Sequence, residues 1–450
     1  MSLPSSFQYF VSSMAGAFER TPIRIVPDGN VSPAMNSSLQ VTFPSDAILD
    51  LTTLSMVATL KSSNAVDAGA TIVVPNASSL FRQVQWSLNG NIVAGGSNNH
   101  YGQVREALRR CSVGTDFARA HADQYNRVEL CDVDGKFQGS EALTAAGKRI
   151  HIDEFGTLQH SINAPSFDTS IFGVLRLHLQ LAGNNIMMCL ENSGVTQTLG
   201  WEFANVEFRV DVLKSPEVYD QIILQRLQSG MSIDTCFPDI VSQISANNAN
   251  IRFNVSSQSL NYLGFAPLMS EYLSPTRLDA TSLAVGATDS KYGPYYTTYR
   301  LQNASNAVPS YDSTAETYYL QINGKSYPAW GNNAMVDGVT QTLDTFTGKD
   351  VNGQNLLFAG LIQPDGTVGR AVTYRRENFL SENAIIVHRL CIDEPHNSPQ
   401  RMMTGINTAG QNAQIALNTQ GWSTSDYVLL FGATTTVLSA SAGQAVAVTY

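Results

Sequence analysis

Charge is what this 450-residue chain has least of. Asp, Glu, Lys and Arg make up 14% of it, against roughly 25% in a typical soluble protein. The balance is acidic, with 27 Lys and Arg against 37 Asp and Glu and a formal net charge of −10. A surface of that sign does not neutralise phosphates, so direct nucleic-acid binding is not expected. Cysteine is scarce as well. Cys111, Cys131, Cys189, Cys236 and Cys391 are odd in number, widely spaced and free of any CxxC pair. That argues against a disulfide framework or a zinc ribbon. There is no run of about eighteen apolar residues of the kind that spans a bilayer. Met1-Ser2-Leu3-Pro4-Ser5-Ser6 has no basic stretch leading into an apolar one, so no secretory signal is expected.

Catalytic signatures are missing too. Seven histidines (His100, His121, His151, His160, His178, His388 and His396) form no HExxH, and no GxSxG elbow occurs. Gly324-Lys325-Ser326 looks like the tail of a phosphate loop, but Tyr319 stands where that loop needs glycine. Asp132, Asp134, Gly135 and Glu141 fit part of a calcium loop, but Leu130 occupies the first ligand position. The small basic clusters, Arg105 with Arg109 and Arg110, and Arg375-Arg376, read as solvated surface. No catalytic residue, cofactor or metal site is assigned, and the chain is not read as an enzyme.

What is present is neutral and β-rich. Hydrophobic residues are 43% of the chain, enough for sizeable cores. A length of 450 exceeds the size at which a single core stops growing, so two domains are expected. Leu39, Val41 and Phe43 alternate with polar residues, as do Leu175 to Leu181, Val206 to Val212, and Ile251 to Val255. Period-two patterns of this kind, broken by Gly, Asn and Pro, read as β-sandwiches or jelly rolls. Two of the breaks match. Asn89-Gly90 and Asn323-Gly324 each separate strand-like runs, and Asn98-Asn99 and Asn332-Asn333 follow at the same distance. Both pairs of positions are 234 residues apart, and helix-compatible stretches follow at Tyr101–Val113 and Ala334–Leu343. Asn-Gly is the strongest short hairpin signal, because a type I′ turn needs positive φ at both central residues. The repeat predicts two similar β domains in tandem.

Two helical stripes lie outside those domains. Ser215, Pro216 and Gly230 mark the start and stop of a helix whose Val218, Tyr219, Ile222, Ile223 and Leu227 fall on one stripe. It reads as the connector, either packing the domains together or lying on one of them. Near the start, Phe7, Phe10, Val11, Met14 and Phe18 make a second stripe, read as an arm. That arm either contacts a neighbouring subunit, an inner protein or a membrane surface, or folds back on its own domain. Long Ser-, Thr-, Asn- and Gly-rich stretches, Asp279 to Thr317 and Asn332 to Arg370, read as projecting loops. The expected division is an arm at 1–22, a first jelly roll at 23–214, a connecting helix at 215–230 and a second jelly roll at 231–450.

Four stretches, taken in order, resemble the double jelly-roll major capsid proteins of the adenovirus, tailless-bacteriophage, virophage and polinton-like virus lineage. Trp201 to Val212 with the helix after it is similar to a first barrel's closing strand and inter-barrel helix. Phe253 to Leu260 is similar to an early strand of the second barrel, and Tyr319 to Pro328 to its hairpin. Thr404 to Thr408, lying between Ala384–Leu390 and the terminal strands, resembles the closing segment. The resemblance implies an all-β chain of two tandem jelly rolls joined by a short helix, trimerising into pseudo-hexameric capsomers of an icosahedral virion. It implies penton and minor capsid proteins as partners and leaves room for an internal membrane. Synthesis in the host cytoplasm is expected. The competing readings are a secreted two-domain β-sandwich adhesin or carbohydrate-binding protein, and a jelly-roll glycoside hydrolase.

Overall fold

A computed structural model describes residues 19–63, 70–73, 77–112, 145–156, 158–160, 166–183, 186, 188–191, 200–214, 217–248, 250–268, 314–333, 336–346, 384–393, 402–409, 414–422, 427–441 and 446–450. The arm residues Phe7, Phe10, Val11, Met14 and Phe18 lie outside them, as do the partial calcium loop and most of both long polar stretches.

The first half opens with β1 (Glu19–Ile25), β2 (Ser38–Thr42), β3 (Ile48–Ser62) and β4 (Ala70–Val73). The hairpin β5 (Phe81–Leu88) and β6 (Asn91–Ala94) comes next, then helix α1 (Tyr101–Ser112). β7 (Lys148–Ile152), β8 (Ser166–Asp168), the single turn α2 (Thr169–Phe172), β9 (Leu175–Leu181), β10 (Met188–Glu191) and β11 (Trp201–Lys214) complete it. Helix α3 (Glu217–Gln228) leads into β12 (Ile233–Ala246), β13 (Ile251–Asn254) and β14 (Leu260–Leu268). Then come the hairpin β15 (Thr317–Ile322) and β16 (Lys325–Asn333), helix α4 (Val336–Thr345), β17 (Ile386–Arg389), β18 (Gln414–Gln420), β19 (Tyr427–Ala440) and β20 (Ala447–Thr449).

Two larger sheets in each half share one repeated strand order, and β4 and β10 form a separate two-stranded sheet in the first half. In the first half β1–β11–β3–β7 form one sheet and β2–β9–β5–β6 the other. In the second half β12–β19–β14–β17 and β13–β18–β15–β16 take the same places. In each half the first strand therefore lies beside a strand from the end of that half (β1 beside β11, β12 beside β19) and the second beside an earlier one (β2 beside β9, β13 beside β18), the topology of a jelly roll. All pairings are antiparallel, as short return connections require.

Local chemistry explains why the sequence folds this way. Asn89 and Gly90 have φ of 52° and 89°, and Asn323 and Gly324 have 52° and 78°. Both turns therefore carry positive φ at both positions, which Gly and Asn are among the few residues to tolerate easily. Asn89 does more than turn the chain. Its Nδ2 donates to the Phe172 carbonyl at 3.0 Å and its Oδ1 accepts from Val174 N–H at 2.9 Å, tying the hairpin to the start of β9. A bulge at Asn205, whose φ is 54°, resets the alternation of β11. Phe203 and Val206 can then both face the core although they are three residues apart. Gly230, at φ 78°, stops α3, with its N–H returned to the Leu227 carbonyl at 3.0 Å.

Each half surrounds a core, but the cores do not respect the division between halves. The first, centred on Trp86, Phe155, Phe203 and Phe208, also takes in Phe237, Leu438 and Ala440 from the second half. The second, built on Phe265, Tyr318, Leu429 and Phe431, takes in Val104, Ala107, Leu108 and Cys111 from α1 of the first half. The spacing i, i+3, i+4, i+7 places these four on one helix face. Leu108→Ala removes a side chain that the second half needs although the first half supplies it. The expected loss is about 2–5 kcal/mol, read as a lower urea midpoint for probes placed in the second half.

Candidate functional site at the seam of the two halves

Among the described residues, side chains from distant parts of the chain converge around the buried carboxylate of Asp239 at the seam between the halves. The seam starts at Gly95, just after β6. A Cβ there would lie 1.9 Å from the Val84 carbonyl oxygen, and φ is +73°, so glycine is required on both counts. The close approach lets Gly95 N–H donate to Asp239 Oδ1 on β12 at 2.9 Å. The same oxygen accepts from Ile240 N–H at 2.9 Å. Three residues of β12 further on, Ser242 N–H donates to the Ser97 carbonyl at 3.0 Å and Ser242 Oγ donates to Asn98 Oδ1 at 2.8 Å. At the far end of the chain, Tyr450 Oη donates to the Ile92 carbonyl at 2.8 Å.

Helix α1 then crosses from one core to the other. Tyr101 packs in the first core, its hydroxyl donating to the Glu154 carbonyl at 3.1 Å and accepting from Gly156 N–H at 3.2 Å. Arg105 Nε donates to Glu154 Oε2 at 2.9 Å, and a second guanidinium nitrogen reaches Oε1, a two-point fork. Burial works against the Arg105 charge, but Glu154 outweighs it and holds the guanidinium above its ordinary value. Arg105 is thus a seam residue and not the solvated surface arginine read from the sequence. Burial pushes the Tyr101 and Tyr262 hydroxyls up and, with Arg82, pushes His100 down to about 4. Burial also raises the Asp239 carboxyl to about 6, with the two backbone N–H groups opposing it.

The connecting helix behaves differently. α3 follows β11 as expected, with Ile222 and Leu227 half-buried and Leu224 exposed, and none of these three belongs to either core. Val218 lies in the helix, but its side chain is outside the described residues, as are Ser215 and Pro216. Among the described residues the halves are held together by α1 and β12, which the sequence analysis did not single out as a seam. The signal was available in the four apolar positions of Tyr101–Ser112, but no pattern names the surface they meet.

No arrangement suited to chemistry emerges elsewhere among the described residues. A hollow of about 610 Å³ on the outer face of β2, β9 and β5 is lined by Gln40, Gln83, Gln85, His178, Gln180 and their neighbours. Ser87 Oγ lies 2.9 Å from His178 Nε2, and burial followed by Arg176 keeps that imidazole below its ordinary value. The lining contains no carboxylate, so the acid pair that sugar hydrolysis needs is not present there. Among the described residues no group of three His, Cys, Asp or Glu could hold a metal ion, and no helix is long and apolar enough to cross a membrane.

No family model and no curated protein sequence matches the chain. Solved structures do. The PBCV-1 virus capsid structure superposes with a TM-score of 0.59 at 13% identity, covering 96% of this chain and 97% of that one. The Faustovirus major capsid protein gives 0.54 at 10%, covering 94% and 91%. The Sputnik virophage structure gives 0.52 at 12%, covering 96% and 88%. The chain has the double jelly-roll fold that these major capsid proteins share.

Asp239 supplies a test of the seam. Its folded value lies above the ordinary 3.8, so its contribution is fully present below 3.8 and is lost as the pH rises through about 6. Asp239→Asn keeps an oxygen for both N–H groups and removes the buried charge. The variant is expected to melt higher than the parent at pH 7.5, with the gap closing as the pH falls through about 6. An equal gap at pH 7.5 and pH 4 would contradict this account.

Proposed function

We propose that this chain is a major capsid protein that associates as a homotrimer of six jelly rolls and tiles an icosahedral viral shell. The observation that carries the reading is the extent of the likeness. It spans 96% of this chain and 97% of a PBCV-1 capsid chain, so the whole two-jelly-roll unit is shared and not one sandwich. Function by assembly also fits a molecule whose interior holds no catalytic constellation among the described residues and whose composition is 14% charged. Nearly identical tiles repel through any large patch of one sign, and a neutral polar exterior avoids that.

In this reading the jelly rolls at 23–214 and 231–450 are the two building blocks and α3 is the chain link between them. Closed cyclic symmetry seals three chains without growing a filament. Pentons and minor capsid proteins complete the shell, and the acidic balance leaves the genome to another protein or to an inner membrane. The protein acts in the virion after synthesis in the host cytoplasm. The arm, through Phe7, Phe10, Val11, Met14 and Phe18, reaches across to an inner or neighbouring component, while Val218, Ile222 and Leu227 offer a second contact stripe.

Light scattering of the purified chain should give a mass three times the 48.8 kDa of one copy, or larger particles. A monomer throughout the micromolar range would remove the reading. Deleting residues 1–20 should leave the trimer mass unchanged and stop closed particles from forming in electron micrographs. Normal particles from the shortened chain would take the arm out of assembly.

A further inference from the structure

The hollow on the outer face of β2, β9 and β5 is a small grid of amides. Leu39, Val41, Leu177, Leu179, Val84 and Trp86 turn into the first core, so the alternation of each strand sends the residues between them outward. The strand register sets those residues in rows. Gln40, His178 and Gln85 stand side by side in one row, and Ser38, Gln180 and Gln83 in the next. With strands about 4.8 Å apart and alternate residues about 7 Å apart, the two rows cover a patch of roughly 10 Å by 7 Å. That is the scale of a sugar ring, and the volume of about 610 Å³ lies within the range of small-molecule sites.

The patch is neutral. No Asp, Glu, Lys or Arg lines the hollow. Burial, then Arg176, keeps the His178 imidazole below its ordinary value, so it is uncharged at neutral pH. The row beyond holds Arg176 between Thr42 and Ser87. Asp28 accepts there from Thr42 Oγ1 at 2.5 Å and from Gln40 Nε2 at 3.3 Å. That border therefore carries one charge of each sign, and neither a cation nor an anion finds a net partner.

Hydrogen-bonding capacity is what the hollow offers instead. A glutamine amide brings two N–H donors and one carbonyl acceptor. Part of this is used within the protein. Gln83 Nε2 lies 3.4 and 3.3 Å from the Gly95 and Gly96 carbonyls, and Ser87 Oγ lies 2.9 Å from His178 Nε2. Gln85 and Gln180 make no side-chain hydrogen bond among the described residues. Neighbouring groups that both donate and accept complement neighbouring hydroxyls, which do the same. An apolar guest would leave these amides unsatisfied.

We propose that this hollow binds a neutral carbohydrate, held through Gln85, Gln180 and the amide carbonyls of Gln40 and Gln83, and that the shell uses it in many copies to hold a glycan-covered surface. The lining has no aromatic ring, so no large flat contact adds to the hydrogen bonds and one site is weak, with a Kd on the order of 1 mM. Repetition offsets this, because linked weak sites gain about 10²–10⁴ over a single one. The use by a shell rests on the capsid reading, and the site on the single chain does not.

Saturation-transfer NMR of the full chain at neutral pH tests the site, with maltoheptaose, cellohexaose, mannohexaose and chitohexaose as neutral probes and sialyllactose as a charged one. Transfer to at least one neutral probe is expected. Gln85→Ala with Gln180→Ala should weaken binding about tenfold or more. The melting temperature should stay in place, since neither side chain bonds to the protein. Gln180→Glu, which keeps the size and adds a charge, supplies a second variant and should weaken binding as well. Silence from every neutral probe, preference for sialyllactose, or folded variants that bind as the parent does would overturn the proposal. Assembled particles should be retained on a surface bearing the bound glycan about a hundredfold better than the single chain. Retention no better than the chain's would overturn the use by the shell. A chain that binds the glycan but never assembles would remove the capsid reading and support the site alone.

Discussion

Apolar burial shared across the seam is the constraint on which the rest of the molecule depends. Neither half closes a core of its own. The first borrows Phe237, Leu438 and Ala440, and the second borrows one face of α1. Separating the halves would return seven buried side chains to water, on the order of 10 kcal/mol at about 1.5–3 kcal/mol for each large one. Domains in one chain usually move against each other unless their interface is large and apolar. Here the interface is continuous with both interiors, which opposes such motion. The polar contacts at Gly95, Ser97 and Asn98 fix the register of that interface more than its strength, since each net hydrogen bond contributes only about 1 kcal/mol.

The few charges are distributed to match. β14 and β19 contain no charged residue at all, which is what allows their sheet to be enclosed on both sides. The corresponding strands of the first jelly roll carry Asp50, Glu207, Arg209 and Asp211, paired with the arginines of β1 and with Arg149. Individually such exposed pairs stabilise little. Collectively they let the outer side of that sheet face water. One topology thus appears twice with opposite surface chemistry, and the difference follows from what lies outside each sheet.

Much of this was legible in the sequence. The two Asn-Gly turns were, because positive φ at two successive residues leaves few alternatives, and their equal spacing placed them at the same point of the same topology. The alternation of Leu39 to Phe43 and of Leu175 to Leu181 marked buried faces that the structure contains. The helix at Tyr101–Ser112 was visible as a helix, but its role was not. Val104, Ala107, Leu108 and Cys111 look the same whether their partner is the adjoining strand or one more than a hundred residues later. Arg105 was misread for a related reason: its partner Glu154 lies 49 residues away, and sequence distance hides such pairs. The bulge at Asn205 was also invisible, since a single residue of left-handed backbone breaks a period-two pattern without leaving a gap in it. Nothing in the sequence marks Asp239, since only the fold brings Gly95, 144 residues away, to it.

The path of α1 has a consequence for synthesis. Ribosomes release the first half before β12, β14 and β19 exist, so the nascent chain must carry the face made by Val104, Ala107, Leu108 and Cys111 with nothing to cover it. That intermediate is sticky by construction, since transiently exposed apolar surface is what drives misassembly in multidomain chains. Maturation of this polypeptide is thus a race in which the later half must arrive before a wrong companion does, and a slow or truncated translation would leave a fragment prone to clump.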